Sequence, residues 1–190
     1  GLSPGLDFES KLFAKPNAAE LLEAELRKPG YIVEPVAIGT NTDPYQPIEK
    51  KRRIMRRILE VLEAYNHPVS IITKSALVLR DIDILGPMSD RGLAAVALSI
   101  TTLDQNLART LEPRAATPQK RLGAMQRLSD SGIKTFCLVA PVIPGLNDYE
   151  LERIIDEAVA AGASGADYIL LRLPTETKRL FTEWLNIHQP

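Results

Sequence analysis

The chain has 190 residues, 45% hydrophobic and 25% charged, which is the composition of one globular domain able to bury about two-thirds of the surface its unfolded form exposes. A net charge of −1 excludes a global basic field for DNA, membrane or any other polyanion and leaves only a local patch open. The single cysteine, Cys137, excludes an intramolecular disulfide and fits a reducing compartment, so the expected location is the cytoplasm. There is no signal-peptide pattern and no apolar run of about 18 residues to enter a bilayer. The chain starts at GLSPGLDF without a methionine and stops at NIHQP soon after an amphipathic stretch, which suggests a fragment truncated at both ends.

Short apolar runs alternate with helix-period segments. Residues 17–28 place Ala18, Leu21, Leu22 and Leu26 on one helical face, and YIVEPVAI follows as a strand with Val33 to Ile38 as its buried-looking part. Residues 47–65 carry Ile54, Met55, Ile58, Leu59 and Leu62 at helical spacing, with Pro47 suited to the first turn. PVSIIT is the next strand, and Ser75 then caps a helix through Val78, Ile82 and Leu85 that ends at Gly86-Pro87. After the strand LAAVALSIT, Thr117-Pro118 reads as N-cap and first helical residue for a stripe of Leu122, Met125 and Leu128, with Gly132 as C-terminal cap. KTFCLVA is a strand, Asn147 starts a helix with Leu151, Ile154, Ile155, Ala158 and Val159 inward, and Gly162 stops it. ADYILLRL is the last strand, and a helix through Phe181, Trp184 and Leu185 closes the chain.

This alternation predicts parallel strands, apolar on both faces, joined by right-handed crossovers in a single α/β domain over residues 1–190. An open doubly wound sheet and part of a (βα) barrel both fit. Either one places ligands at the carboxyl ends of the strands. Those ends read GTNTDPYQPIE, Thr73-Lys74-Ser75, Ser99 to Asp104, Ala140 to Asp148, and Arg172 to Glu176. Singly, each also reads as a turn, a helix cap or a hydroxyl satisfying backbone. Together they favour a ligand with a carboxylate for Lys74, an ammonium for Asp43 and ribose hydroxyls for Ser99.

Dinucleotide, P-loop and zincin motifs are absent, and two histidines with one cysteine offer no metal site and no Ser/His hydrolase. Glu112-Pro113-Arg114 reads as a surface loop or as a sugar-bonding segment near the ligand face. The run EKKRRIMRR puts Lys50, Lys51, Arg52, Arg53, Arg56 and Arg57 on a solvated face or against a phosphate backbone, without interleaved aromatics for base stacking.

In their order, GTNTDPYQPIE, ITKSALVLRDIDIL, LSITTLD, LEPRAATPQKRL, APVIPGLND and LLRLPTE resemble the radical S-adenosylmethionine proteins, and among them the bacterial branch related to spore photoproduct lyase, over about Phe8 to Pro190. The resemblance implies a partial (βα)6 TIM-like barrel, a 4Fe-4S cluster on a C-x-x-x-C-x-x-C loop, and cleavage of S-adenosylmethionine to a 5′-deoxyadenosyl radical. Thr42 and Asp43, in one loop with Thr40 and Asn41, match the segment that holds the methionyl amino group. Lys74 resembles the residue that meets the carboxylate, Ser99 the hydroxyl near ribose and carboxylate, and Glu112, with Arg114 close by, the glutamate at the ribose. The loop from Pro141 through Ile143 to Asn147 resembles the segment flanking adenine.

The cluster cysteines are absent and the first βα unit is incomplete, so this chain alone is expected to be inactive, and no metal ligand or catalytic residue is assigned. Where the lyase has a hydrogen-donating cysteine, ahead of the loop aspartate, this sequence has Gly39, Thr40 and Asn41. DNA repair, with nucleic acid as partner, is implied only at family level. The alternatives are an ordinary metabolic (βα)-barrel enzyme of lyase or aldolase type, with Lys74 forming a Schiff base or binding phosphate, and a non-catalytic ligand-binding module. Loss of a barrel strand also predicts self-association through the open edge beside Val33 to Ile38.

Overall fold

Five of the apolar runs form parallel strands in the computed structural model, which describes residues 12–188. Strands β1 (Val36–Ile38), β2 (Val69–Thr73), β3 (Ala94–Ser99), β4 (Lys134–Val142) and β5 (Ala166–Leu170) lie in chain order across one sheet. Every neighbouring pair is parallel, and the sheet curls into a half-barrel, the partial TIM-like α/β fold. The helices between and around the strands are α1 (Ala18–Leu26), α2 (Glu49–Arg52), α3 (Ile54–Ala64), α4 (Ile82–Asp90), α5 (Gln105–Leu111), α6 (Pro118–Asp130), α7 (Leu151–Ala160) and α8 (Thr175–His188). Turns of 3₁₀ helix, Ala76–Asp81 and Asp148–Glu150, lead into α4 and α7.

Strand alternation builds the core. The register sets Ile71 beside Val96 and Thr73 beside Leu98, and the residues of that face are buried under Leu59, Leu62, Leu85, Met88, Met125, Leu128 and Ile154 from the helices. Each such apolar side chain contributes roughly 1.5–3 kcal/mol on leaving water. The alternate residues Ser70, Ile72, Ala95 and Ala97 are only half-buried, so the central strands are covered less completely on their second face than their composition predicts.

Several elements depart from the sequence pattern for identifiable reasons. Strand β1 holds three residues rather than six, because Pro35 has no N–H to donate and Ile32 and Val33 are exposed. Among the described residues it is an edge strand, paired to β2 alone. Leu21 and Val159, expected inward, are 60% and 58% exposed. All five residues of β5, the other edge, are exposed. The helix expected to stop at Gly86-Pro87 runs on to Asp90, since Met88 is fully buried; Arg91 Nε donates to the Pro87 carbonyl at 3.0 Å at its C-terminal end. Asn147 does not cap α7; its amide is used elsewhere.

The predicted helix over 47–65 is broken at Arg53, which is left-handed at φ 50°. The break has a chemical cause. Glu49, 4% exposed, turns its carboxylate onto the start of α3, where Oε2 accepts from Ile54 N at 2.9 Å and Oε1 from Met55 N at 3.1 Å. Arg80 Nη2 donates to the same Oε1 at 2.9 Å, and its Nη1 to the Glu49 carbonyl at 3.1 Å. One carboxylate thus serves as helix cap and buried counter-ion. Glu49→Ala is expected to cost about 3 kcal/mol, because it removes the cap and one carboxylate partner of Arg80 together. Urea unfolding checks this: a lower midpoint at unchanged slope is the expected result.

Candidate functional site

Gly39 ends β1 at φ +103°, and a Cβ there would lie 2.0 Å from the Ile72 carbonyl oxygen. The chain therefore turns flat against β2 only because position 39 lacks a side chain. Asp43 closes the turn. Its Oδ1 accepts from Tyr45 N at 2.8 Å and Thr73 Oγ1 at 2.7 Å, and its Oδ2 accepts from Lys74 N at 2.8 Å. Three of about four acceptor positions on the carboxylate are thus occupied by the protein, which leaves room for one further donor.

Behind the loop, Tyr45 is buried and its hydroxyl donates to Asp81 Oδ2 at 3.1 Å. Arg80 donates to both oxygens of Asp81, at 2.9 and 2.8 Å, and Arg56 adds a third bond at 3.1 Å. Burial, followed by the charge of Asp81, pushes the Tyr45 phenol far above its ordinary value, so it stays a donor.

Lys74, one residue past β2, reaches Glu112 with Nζ to Oε1 at 2.5 Å. Glu112 follows α5, whose start is capped by Asp104 through Asn106 N at 2.6 Å and Leu107 N at 3.1 Å. Oε1 of Glu112 also accepts from Thr101 Oγ1 at 3.0 Å, and Oε2 from Arg121 Nη2 at 2.6 Å. Arg121, on α6, is 1% exposed and also donates from Nε to the Ala116 carbonyl at 2.7 Å and from Nη1 to the Ser99 carbonyl at 2.9 Å. The sequence reading missed Arg121. Its one signal is position: it shares the buried stripe of Ala124, Met125 and Leu128, where a cation must be paired.

These groups border a cleft of about 860 Å³, a size that suits a small-molecule ligand. Of the residues singled out in the sequence, the cleft gathers Asn41, Thr42 and Asp43 from the β1 loop, Lys74 from β2, Ser99 from β3, and Glu112 and Arg114 from the segment after α5. Thr40 is exposed and lies outside the lining. So do Pro141 and Ile143, for a clear reason. The buried Asn147 amide accepts from Ile143 N at 2.6 Å and donates to the carbonyls of Thr101 at 2.7 Å and Pro141 at 3.0 Å, folding that loop onto β3 and burying Ile143. The side chains of Thr175 and Glu176, in the fifth strand end, lie outside the described residues.

The donor set fits S-adenosylmethionine: a lysine for a carboxylate, an anionic clasp for an ammonium, and carboxylate and hydroxyl groups for a ribose. It does not fit an iron–sulfur cluster. Among the described residues no three of His, Cys, Asp or Glu are grouped to hold a metal, and Cys137 is buried in β4 with its thiol pushed up to about 11 by burial. No helix among the described residues is long and apolar enough to cross a membrane.

Burial by itself raises the Glu112 carboxyl, yet the charges of Lys74 and Arg121 outweigh it and hold the group below its ordinary range. A carboxylate lowered in this way stabilises the fold above its unfolded value of about 4.3 and loses that contribution as pH falls through the lower folded value. The stability difference between wild type and Glu112→Gln should therefore be constant from neutral pH to roughly pH 5 and begin to narrow below about pH 4, as pH falls toward the lowered folded value. Urea titrations at stepped pH measure it, and a gap that does not narrow at all as pH falls below the unfolded value would refute the assignment.

The sequence matches the Radical SAM superfamily over residues 13–158. An uncharacterized protein of Mycobacterium tuberculosis is 37% identical over 185 residues, covering 96% of this chain and 54% of that protein. Another, from Methanocaldococcus jannaschii, is 35% identical over 126 residues, covering 66% of this chain and 47% of that protein. The chain spans about half the length of the curated relatives it matches. A spore photoproduct lyase mutant superposes with a TM-score of 0.69 at 15% identity, over 92% of this chain and 52% of that one. Streptococcus suis SuiB bound to S-adenosylmethionine gives 0.65 at 16% identity, over 94% of this chain and 42% of that one. At such identities the structural likeness speaks for the fold, and it is the sequence match over most of the length that identifies this chain as a member of the Radical SAM superfamily.

Proposed function

We propose that this chain is the S-adenosylmethionine-binding core of a radical enzyme whose 4Fe-4S cluster is held, in the whole protein, by residues outside the chain. The observation that carries this reading is the cleft at the strand ends, where Lys74, the Asp43 turn and Glu112 meet as cation, anionic clasp and sugar-bonding carboxylate. Lys74 binds the methionyl carboxylate, the loop of Asn41, Thr42 and Asp43 takes the amino group, and Ser99 and Glu112 hold the ribose. When bound, the cofactor would supply a 5′-deoxyadenosyl radical for hydrogen abstraction, with methionine released, on one-electron reduction by the cluster. The residues of this chain bind and orient it.

DNA repair is the substrate reading carried over from the likeness to spore photoproduct lyase. It gains support from Lys50, Lys51, Arg52 and Arg53, all exposed, with Lys50 in the cleft wall. Within the same run Arg56 is tied to Asp81 and Asp83 and Arg57 to Glu20, so the first four cations form the available patch. A Schiff-base enzyme finds less support, since Lys74 Nζ sits on a carboxylate rather than in an apolar pocket. A non-catalytic binding module predicts affinity for the cofactor without turnover. The β1 edge, unpaired among the described residues, supports self-association, which light scattering on this chain measures; a monomer at all concentrations speaks against it.

The decisive experiment uses the whole protein, purified without oxygen and reduced. A 4Fe-4S paramagnetic signal that shifts on adding S-adenosylmethionine is expected, and a signal indifferent to the cofactor would overturn the reading. Lys74→Ala should weaken cofactor binding by roughly 10- to 100-fold, the loss of one charge-assisted bond. For the DNA reading, single-stranded oligonucleotide should bind with a steep salt dependence that is lost when Lys50 to Arg53 are replaced by Gln.

A further inference from the structure

Two cations share one carboxylate on the cleft wall, and they differ in what else they can bind. Arg121 is buried, and each of its three nitrogens already donates: Nε to the Ala116 carbonyl, Nη1 to the Ser99 carbonyl and Nη2 to Glu112. Lys74 lines the cleft, its side chain is one-third exposed, and its ammonium has three protons for a single side-chain partner among the described residues, Glu112. Lys74 and Glu112 alone would form a self-neutralised pair with little attraction for an anion. With Arg121 the cluster carries one surplus positive charge, and only Lys74 can present it to the cleft.

We propose that Arg121 is a positioning residue for the ligand's carboxylate: it neutralises Glu112 from the buried side and so frees the charge of Lys74 for the ligand. The proposal rests on the S-adenosylmethionine reading above. Asp43, in the same lining, complements it with negative charge for the ammonium, so the wall matches a zwitterion rather than a simple anion. Lys50 and Arg114 bring further positive charge to the cleft, and the informative quantity is therefore a ratio compared across variants. Arg121 also joins the β3 end to the 112–116 segment, which is why a charge-specific readout is needed.

The test measures, in the whole protein under anaerobic conditions, the affinity ratio of S-adenosylmethionine to its decarboxylated analogue. That ratio isolates the carboxylate. Arg121→Gln should lower it by roughly tenfold, the effect of deleting one nearby buried charge, and Glu112→Gln should raise it. The double variant, which restores one surplus positive charge, should return the ratio to near the wild-type value. A purely structural arginine predicts something else: both ligands weaken alike in Arg121→Gln and the second substitution rescues nothing, which would overturn the proposal. If Arg121→Gln does not fold, the Glu112→Gln and double variants still decide, because an unchanged ratio in Glu112→Gln is equally fatal. Failure of wild type to bind either ligand would instead overturn the cofactor reading itself.

Discussion

The Asp43 carboxylate is the constraint on which the cleft depends. A parallel sheet delivers its strand ends to one rim, but the loops that leave those ends have no ladder partner and must be tied by side chains. Asp43 does so by accepting from the amides of Tyr45 and Lys74 and from the Thr73 hydroxyl, which joins the turn after β1 to the end of β2. Gly39 makes the approach sterically feasible, and Tyr45, fixed on Asp81, anchors the far side of the turn. The same clasp ties the Lys74 amide at the point from which its side chain reaches Glu112.

Buried carboxylates recur through this half of the molecule, each with three or four donors. Glu49 caps α3 and pairs with Arg80, Asp81 takes Tyr45, Arg56 and Arg80, and Glu112 takes Lys74, Thr101 and Arg121. No buried side-chain polar atom among the described residues lacks a hydrogen-bond partner. Such groups are stabilising only as complete sets, since removing one partner strands a charge in low dielectric. They add less to stability than an equal volume of hydrocarbon does, and more to geometry: they hold loops that carry too few apolar residues to pack by themselves.

The opposite half is plainer. Asn147 draws the loop after β4 back onto β3 through three hydrogen bonds, and Thr102 is bonded to the buried Glu150. Strand β5 is exposed along its length, and α8 returns over α5 through Trp184 Nε1, which donates to the Thr110 carbonyl at 3.0 Å. Of the strand ends, those of β1, β2 and β3 line the cleft, together with the segment after α5, although the sequence offers polar residues after every strand.

Local pattern determined much of this. Strands β2 to β5, the stripes of α3 and α6, the caps at Ser75 and Thr117 and the polar strand ends are legible in the sequence because side-chain periodicity and capping chemistry act over a few residues. The order of six strand-end motifs along the chain, from GTNTDPYQPIE to LLRLPTE, carries the resemblance to the family. What it left undecided were pairings between residues dozens of positions apart. Glu49 breaking a helix to reach Arg80, Asp43 spending its oxygens on β2, and Arg121 lying beneath Glu112 follow from which groups burial brings together, and burial is a property of the packed sheet. The sequence by itself determined which chemical groups stand at the strand ends. Only the tertiary structure decided which of them are already bound to one another and which still face the cleft, because a buried charge takes its partner from whatever the fold sets beside it.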